Sequence, residues 1–109
     1  MVSEIVDKMR KQAIKSVMDI LMLYEIKNGP ISGYDAMVFI NNKFEVFISS
    51  GTIYSHLYAL ERNELVKGVT IEGKRIYELT AKGEKTLKNL TKSNLDLLNS
   101  LKNMSKTEE

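Results

Sequence analysis

Residues 50–66, SGTIYSHLYALERNELV, decide how the chain folds. At about 100° per residue, Ile53, Leu57 and Leu60 converge on one side of a helix, whereas Gly51, Ser55, Tyr58 and Arg62 gather on the other. The outward side is polar and nearly free of acids, and the start at Ser49-Ser50-Gly51 supplies hydroxyls suited to capping. A short helix that turns hydroxyls, a phenol ring and a guanidinium outward is a surface suited to a polar, negatively charged partner.

Upstream, Ser32 can accept hydrogen bonds from the free amides of another short helix, whose apolar face is expected to be Tyr34, Met37, Val38, Phe39 and Ile40 and which is expected to run out near Asn41-Asn42. Phe44, Val46, Phe47 and Ile48 then form an apolar connection too short and irregular for a helix. Further back, Ile5, Met9, Ala13, Val17, Leu21 and Tyr24 recur at helical spacing and lay a stripe along a helix from Ile5 to Lys27. Between Val17 and Ile26 apolar side chains occur nearly all round, so this part must be covered on more than one side. Asn28-Gly29-Pro30 ends it, because proline cannot continue a helix.

Downstream, Leu65–Ile71 and Lys74–Leu79 are β-rich runs separated by Glu72-Gly73, the spacing of a tight hairpin. In that register Val66 opposes Leu79, Gly68 opposes Tyr77 and Thr70 opposes Arg75, which makes one face apolar at its base and basic at its tip. Thr80 can cap a last helix, and Glu84 in its first turn suits the positive end of the helix dipole. Leu87, Leu90, Asn94, Leu97, Leu101 and Met104 follow an a/d heptad seam with Asn at one a position. Ser105 to Glu109 reads as a frayed tail. The expected organisation is mainly α with a small β-hairpin: a winged helix-turn-helix domain over residues 1–79 and a C-terminal dimerisation helix and tail over residues 80–109.

Composition narrows the function. A chain of 109 residues can bury one modest core and leaves apolar surface to spare, which favours a partner. With no cysteine, thiolate nucleophiles, thiolate metal sites and disulfides are all excluded. His56 is the only histidine and has no companion ligand in the sequence, so neither a metal nor a cofactor is expected, and proximity to a phosphate is its other use. No phosphate-binding glycine loop and no acid pair at a recognisable spacing is present, so an enzyme is not expected. Val17 to Ile26 is interrupted by Asp19 and Glu25 and falls short of the roughly 20 residues of a membrane span. Lys8, Arg10 and Lys11 are offset by Glu4 and Asp7 with no cleavage pattern after them, so a cytoplasmic protein without membrane contact is expected. The net charge of +2 permits a nucleic acid without requiring one.

Ile31-Ser-Gly-Tyr-Asp, the stretch 50–66 and Tyr77-Glu-Leu-Thr-Ala-Lys-Gly83 together resemble the PadR family of transcriptional regulators. The family pattern has Gly-Tyr opening the second helix, Gly-Thr-Leu-Tyr followed by Leu-Glu and Gly-Leu along the third, and Tyr-x-Leu-Thr-x-x-Gly after the wing. Two departures stand out: Asn63-Glu64 occupies the place where the family more often has glycine before leucine, and the wing is short.

The resemblance implies that the third helix enters the major groove, that the wing tip approaches phosphates or the minor groove, and that the terminal helices build a homodimer. Gly51, Thr52 and Tyr54 match the family's Gly-Thr-x-Tyr, and with Ser50 they offer hydroxyls and free amides at a positive helix end to phosphate oxygens. Tyr54 has an alternative as a half-buried flank residue. Ser55, Tyr58 and Arg62 share the outward side, where Arg62 suits guanine or phosphate but can also pair with Glu61. Lys74 and Arg75 at the wing tip suit phosphates. The seam Leu87, Leu90, Asn94, Leu97, Leu101 and Met104, joined by Met9 and Val17 from the first helix, is the expected dimer interface, where two Asn94 amides can fix the register. The expected partners are double-stranded DNA at an inverted-repeat operator and a second copy of the chain, with any small-molecule inducer left open. The expected activity is sequence-specific regulation of transcription as a repressor; the alternative is a winged-helix module for protein contacts, which would need no basic wing tip.

Overall fold

In the computed structural model, which describes residues 1–107, Ile53, Leu57 and Leu60 all point into the core, as their spacing requires. They belong to α3 (Ser50–Arg62), which is preceded by α1 (Val2–Lys27), β1 (Ile31–Ser32) and α2 (Gly33–Phe44), and followed by β2 (Val66–Ile71), β3 (Lys74–Leu79) and α4 (Ala81–Thr107). The core is closed by Met18, Met22, Leu23 and Ile26 of α1, Ala36 and Ile40 of α2, Ile48, Val66, Tyr77 and Leu87. Burying each of the larger side chains contributes about 1.5–3 kcal/mol relative to leaving it in water.

The face of α1 that enters this core is not the expected stripe. Ile5, Met9, Ala13 and Tyr24 are exposed and Val17 and Leu21 half-buried, while Ile14, Met18, Met22, Leu23 and Ile26 are buried. The helix is apolar on two sides, and the domain uses one of them. Every residue from Val2 to Ala13 is exposed. In α2, Ala36 and Ile40 are buried and Met37 and Phe39 pack partly against them, whereas Tyr34 and Val38 face outward. This helix also runs past Asn41-Asn42 to Phe44 and ends on Glu45 in the left-handed region. Asn41 is a staple and not a stop: its Oδ1 accepts from Ile48 N at 2.6 Å and its Nδ2 donates to Ile48 O at 3.3 Å, fixing the turn into α3.

The hairpin has the expected register, Val66 opposite Leu79, Gly68 opposite Tyr77 and Thr70 opposite Arg75. Glu72 and Gly73 both have positive φ, 51° and 79°, which is the type I′ geometry that matches strand twist. A third strand not anticipated from the sequence, β1, pairs Ile31 with Tyr77 and gives the sheet order β1-β3-β2. Two residues are too few to show an alternating pattern.

Thr80 joins α3, the hairpin and α4. Its N–H donates to Leu65 O at 3.1 Å, and its hydroxyl is shared between Glu64 O at 2.7 Å and Leu65 O at 3.0 Å while accepting from Gly83 N at 2.9 Å. Gly83 sits so close that a Cβ there would overlap the Leu65 carbonyl oxygen. Glu64, at the departure from the family pattern, has φ 61°. The family's glycine thus answers a left-handed turn that this chain makes with a side chain in place. Beyond the clamp, Leu87 is buried, Leu90 half-buried, and every residue from Leu95 to Lys106 exposed. Ser105–Thr107 continue α4, in place of the expected fraying; Glu108 and Glu109 lie outside the described residues.

Two outcomes are expected in denaturant unfolding. Gly83→Ala should destabilise by about 1–3 kcal/mol, because the obstacle is backbone and cannot rotate away. Glu64→Gly should stabilise by about 0.5–1 kcal/mol, since relief of a left-handed non-glycine residue exceeds the added freedom of glycine in the unfolded chain. Equal midpoints for either variant and the wild type would remove the corresponding account.

Candidate nucleic-acid interface

The open end of α3 is prepared by Ser49. Its Oγ accepts from Thr52 N at 3.2 Å and lies 3.0 Å from Thr52 Oγ1, so both the amide and the hydroxyl of Thr52 are engaged locally. The first bond of the helix runs from Ile53 N to Ser49 O, which leaves the amides of Ser50 and Gly51 ahead of the ladder. No acid lies in this first turn, and the space a Gly51 Cβ would fill is open. Amide donors, a positive dipole and access combine at one place.

Along the same side Ser55, Tyr58 and Arg62 are exposed, as their angular positions require. Arg62 forms no ion pair among the described residues. Tyr54 is half-buried: its ring rests on Gly33, where a Cβ would collide with Cε1 and lie 2.9 Å from Cζ, and Tyr58 stands beside it with ring centroids 6.3 Å apart. The Gly-Tyr that opens α2 has a steric reason here, since only glycine admits the Tyr54 ring. Ser32 caps that helix by accepting from Asp35 N at 3.1 Å, while Asp35 accepts from Ser32 N at 3.3 Å.

A groove of about 440 Å³ runs between the start of α2, α3 and the hairpin, lined by Tyr34, Tyr54, Tyr58, Lys74, Arg75 and Tyr77 among others. Of the candidate residues it gathers Tyr54, Tyr58, Lys74 and Arg75; Ser50, Gly51, Thr52, Ser55 and Arg62 lie outside its lining. Tyr34, whose spacing suits the core, is 62% exposed at the groove edge. The signal that finds it is the neighbouring Gly33, whose requirement by Tyr54 fixes which way the start of α2 faces.

Arg75 departs from expectation. Its Nη2 is paired with Glu61 Oε2, its guanidinium lies 6.0 Å from the Tyr77 ring centre, and it crosses Gly68, where a Cβ would come within 2.7 Å of Nε. The bond to Glu61 raises its pKa further above an already high value. Burial pushes the Tyr77 hydroxyl up, so it stays neutral at ordinary pH. Glu61 therefore pairs across to the wing and not with Arg62. His56 is likewise occupied: Nδ1 lies 2.7 Å from Asp19 Oδ1 and ties α3 to α1.

Away from this face, α1 and α4 are linked by Tyr24 Oη and Thr91 Oγ1 at 2.8 Å, and beyond that contact they enclose an open apolar cleft of about 370 Å³ lined by Val17, Ile20, Leu95, Leu97, Leu98 and Leu101. Asn94 lines it too, with Nδ2 donating to Leu90 O at 2.9 Å. Of the expected dimer residues, Met9, Leu97, Leu101 and Met104 are exposed and Val17, Leu90 and Asn94 half-buried. Leu87, at 1% exposure, is taken up by the domain's own core, and so cannot join a seam between copies. Leu95 and Leu98, off the strict heptad, are exposed in its place.

Comparison with known proteins agrees with this architecture. The PadR-like family of transcriptional regulators matches residues 22–89, and the chain belongs to that family. Its solved relatives include a PadR-like regulator from Bacillus cereus, 24% identical over 85% of this chain and 95% of its own, with a TM-score of 0.76. A PadR family regulator from Eggerthella lenta is 20% identical over 94% of each chain with a TM-score of 0.83. A transcriptional regulator from Clostridium thermocellum is 26% identical over 84% of this chain and 92% of its own, with a TM-score of 0.73. No protein of curated function matches. The fold is the winged helix of these regulators, and membership in a family of transcriptional regulators implies DNA-binding regulation. No helix among the described residues is long and apolar enough to cross a membrane.

Proposed function

We propose that the protein is a cytoplasmic, homodimeric repressor that binds an inverted repeat in double-stranded DNA. The observation that carries this reading is the acid-free, uncovered start of α3, followed on one side by exposed Ser55, Tyr58 and Arg62 and flanked by Lys74 on the wing. In this reading α3 lies in the major groove, with Ser50, Gly51, Thr52 and Tyr54 toward phosphates and Ser55, Tyr58 and Arg62 toward base edges. Lys74 neutralises a phosphate; Arg75, engaged by Glu61, adds little. Repression by occupying the site needs no surface beyond these.

A second copy is the natural cover for the apolar rows left open by Val2, Ile5, Val6 and Met9 on α1 and by Leu95, Leu97, Leu98, Leu101 and Met104 on α4. The C-terminal unit, residues 80–109, then serves as the dimerisation helix of the domain formed by residues 1–79, although Gly83 and Leu87 root it in that domain. Asn94 keeps its Oδ1 for the partner. A two-fold axis through this seam sets two α3 helices about 34 Å apart along the duplex, one helical turn.

Two measurements test the reading. Sedimentation should give a dimer at micromolar concentration for the wild type and a monomer for Leu97→Asp, whose charge enters the seam without touching the core; a wild-type monomer, or a dimer of the variant as stable as wild type, overturns the assigned interface. Titration on matched and scrambled duplexes at several salt concentrations should show Lys74→Ala weakening both and lowering the salt slope by about 0.9 per subunit. Arg62→Ala should cost about 1–3 kcal/mol on the matched duplex alone. Salt-independent binding by the wild type would favour a protein-contact module.

A further inference from the structure

The geometry points to a clip, made by Arg75, Glu61 and Gly68, that fixes the wing against α3 and so sets the spacing of wing and helix on the face that meets DNA. The inference rests on the reading of this face as a DNA interface, and it gives Arg75 a positioning role and not a phosphate contact.

Three observations hold the guanidinium from three directions. Glu61, on the last turn of α3, pairs with Nη2 although it is 14 residues away in sequence. The Tyr77 ring, on the same strand two residues on, lies beneath it at 6.0 Å. Gly68, opposite Tyr77 on β2, leaves the notch the side chain crosses: a Cβ there would be 2.7 Å from Nε and 2.8 Å from Cζ. Tyr77 is itself buried, so the guanidinium connects an immobile ring to a helix carboxylate. Lys74, one residue nearer the turn and lining the same groove, forms no ion pair among the described residues and so suits a phosphate better than Arg75 does.

The hairpin has only β1, two residues long, along its other edge, and its tip from Thr70 to Arg75 is exposed. A two-stranded tip of this kind is marginally ordered alone, so one side-chain bridge to α3 decides how far it swings. A direct phosphate contact and a clip differ in what they do to the salt dependence. Loss of a phosphate ligand flattens the slope, whereas loss of a positioning contact weakens binding with the slope kept.

The experiment uses the full chain and Arg75→Ala, Glu61→Gln and the double variant, with a labelled duplex of about 30 base pairs, selected from a random pool, as probe. Each single variant should weaken binding by about fivefold per half-site, the scale of one exposed ion pair, with no further loss in the double variant and an unchanged salt slope. In the free protein, amide hydrogen exchange at residues 70–75 should quicken in both single variants while the melting temperature stays within a few degrees of wild type. A flattened slope for Arg75→Ala together with tighter binding by Glu61→Gln would show a phosphate ligand held in reserve and overturn the clip. Unchanged exchange at the wing tip overturns it without reference to DNA. Failure of the wild type to bind any duplex in a salt-dependent way would instead overturn the DNA reading, and the exchange measurement would still decide on the clip.

Discussion

The junction at Thr80 orients everything this domain turns outward. Its hydroxyl meets the carbonyls of Glu64 and Leu65, where α3 ends and β2 begins, and accepts the Gly83 amide, where α4 starts. One residue therefore closes the hairpin, caps the last helix and fixes that helix relative to α3. Each bond is worth only about 0.5–1.5 kcal/mol net, but removing the hydroxyl leaves the part-buried Gly83 amide without its acceptor, which costs more than that bond returns. The absent Cβ of Gly83 lets the chain approach closely enough for the arrangement to exist.

A second constraint is the shortage of interior. Among the described residues fifteen apolar ones are buried, drawn from every helix, the hairpin and the connections at Ile48 and Leu65, and the two terminal helices have apolar rows left over. These rows are at the first half of α1 and the last half of α4, the two parts that the domain does not cover. Other apolar side chains, Phe47, Tyr58 and Ile71 among them, are exposed outside these rows.

Much of this was legible in sequence because local rules were sufficient. The two-residue gap at Glu72-Gly73 fixed the hairpin register, and with period two every facing pair followed. The outward side of α3 followed from three well-spaced apolar residues. The face of α1 did not, because a helix apolar nearly all round has two candidate core stripes and only tertiary packing chooses between Ile5-Met9-Tyr24 and Ile14-Met18-Met22. Tyr34 escapes its spacing for a similar reason: that spacing fits the core, but Gly33 gives the interior position to the ring of Tyr54. Glu61 has Arg62 as its neighbour in sequence, yet adjacent residues on a helix point about 100° apart and do not face each other. Its real partner comes from a strand that no local rule connects to it.

The length of α4 has a mechanical side. At 1.5 Å per residue its 27 residues extend about 40 Å from the Thr80 junction. Leu87 and the Tyr24–Thr91 contact pin its first part, so the free arm is the roughly 24 Å beyond Thr91, and a rotation of about five degrees there displaces the far end by about 2 Å. Conversely, a shift of one side-chain layer at the far end returns to α3 as a small change of angle. The angle between α3 and α4 is therefore graded finely by events far from α3, and the stiffness of the root at Gly83 determines how faithfully that setting is transmitted.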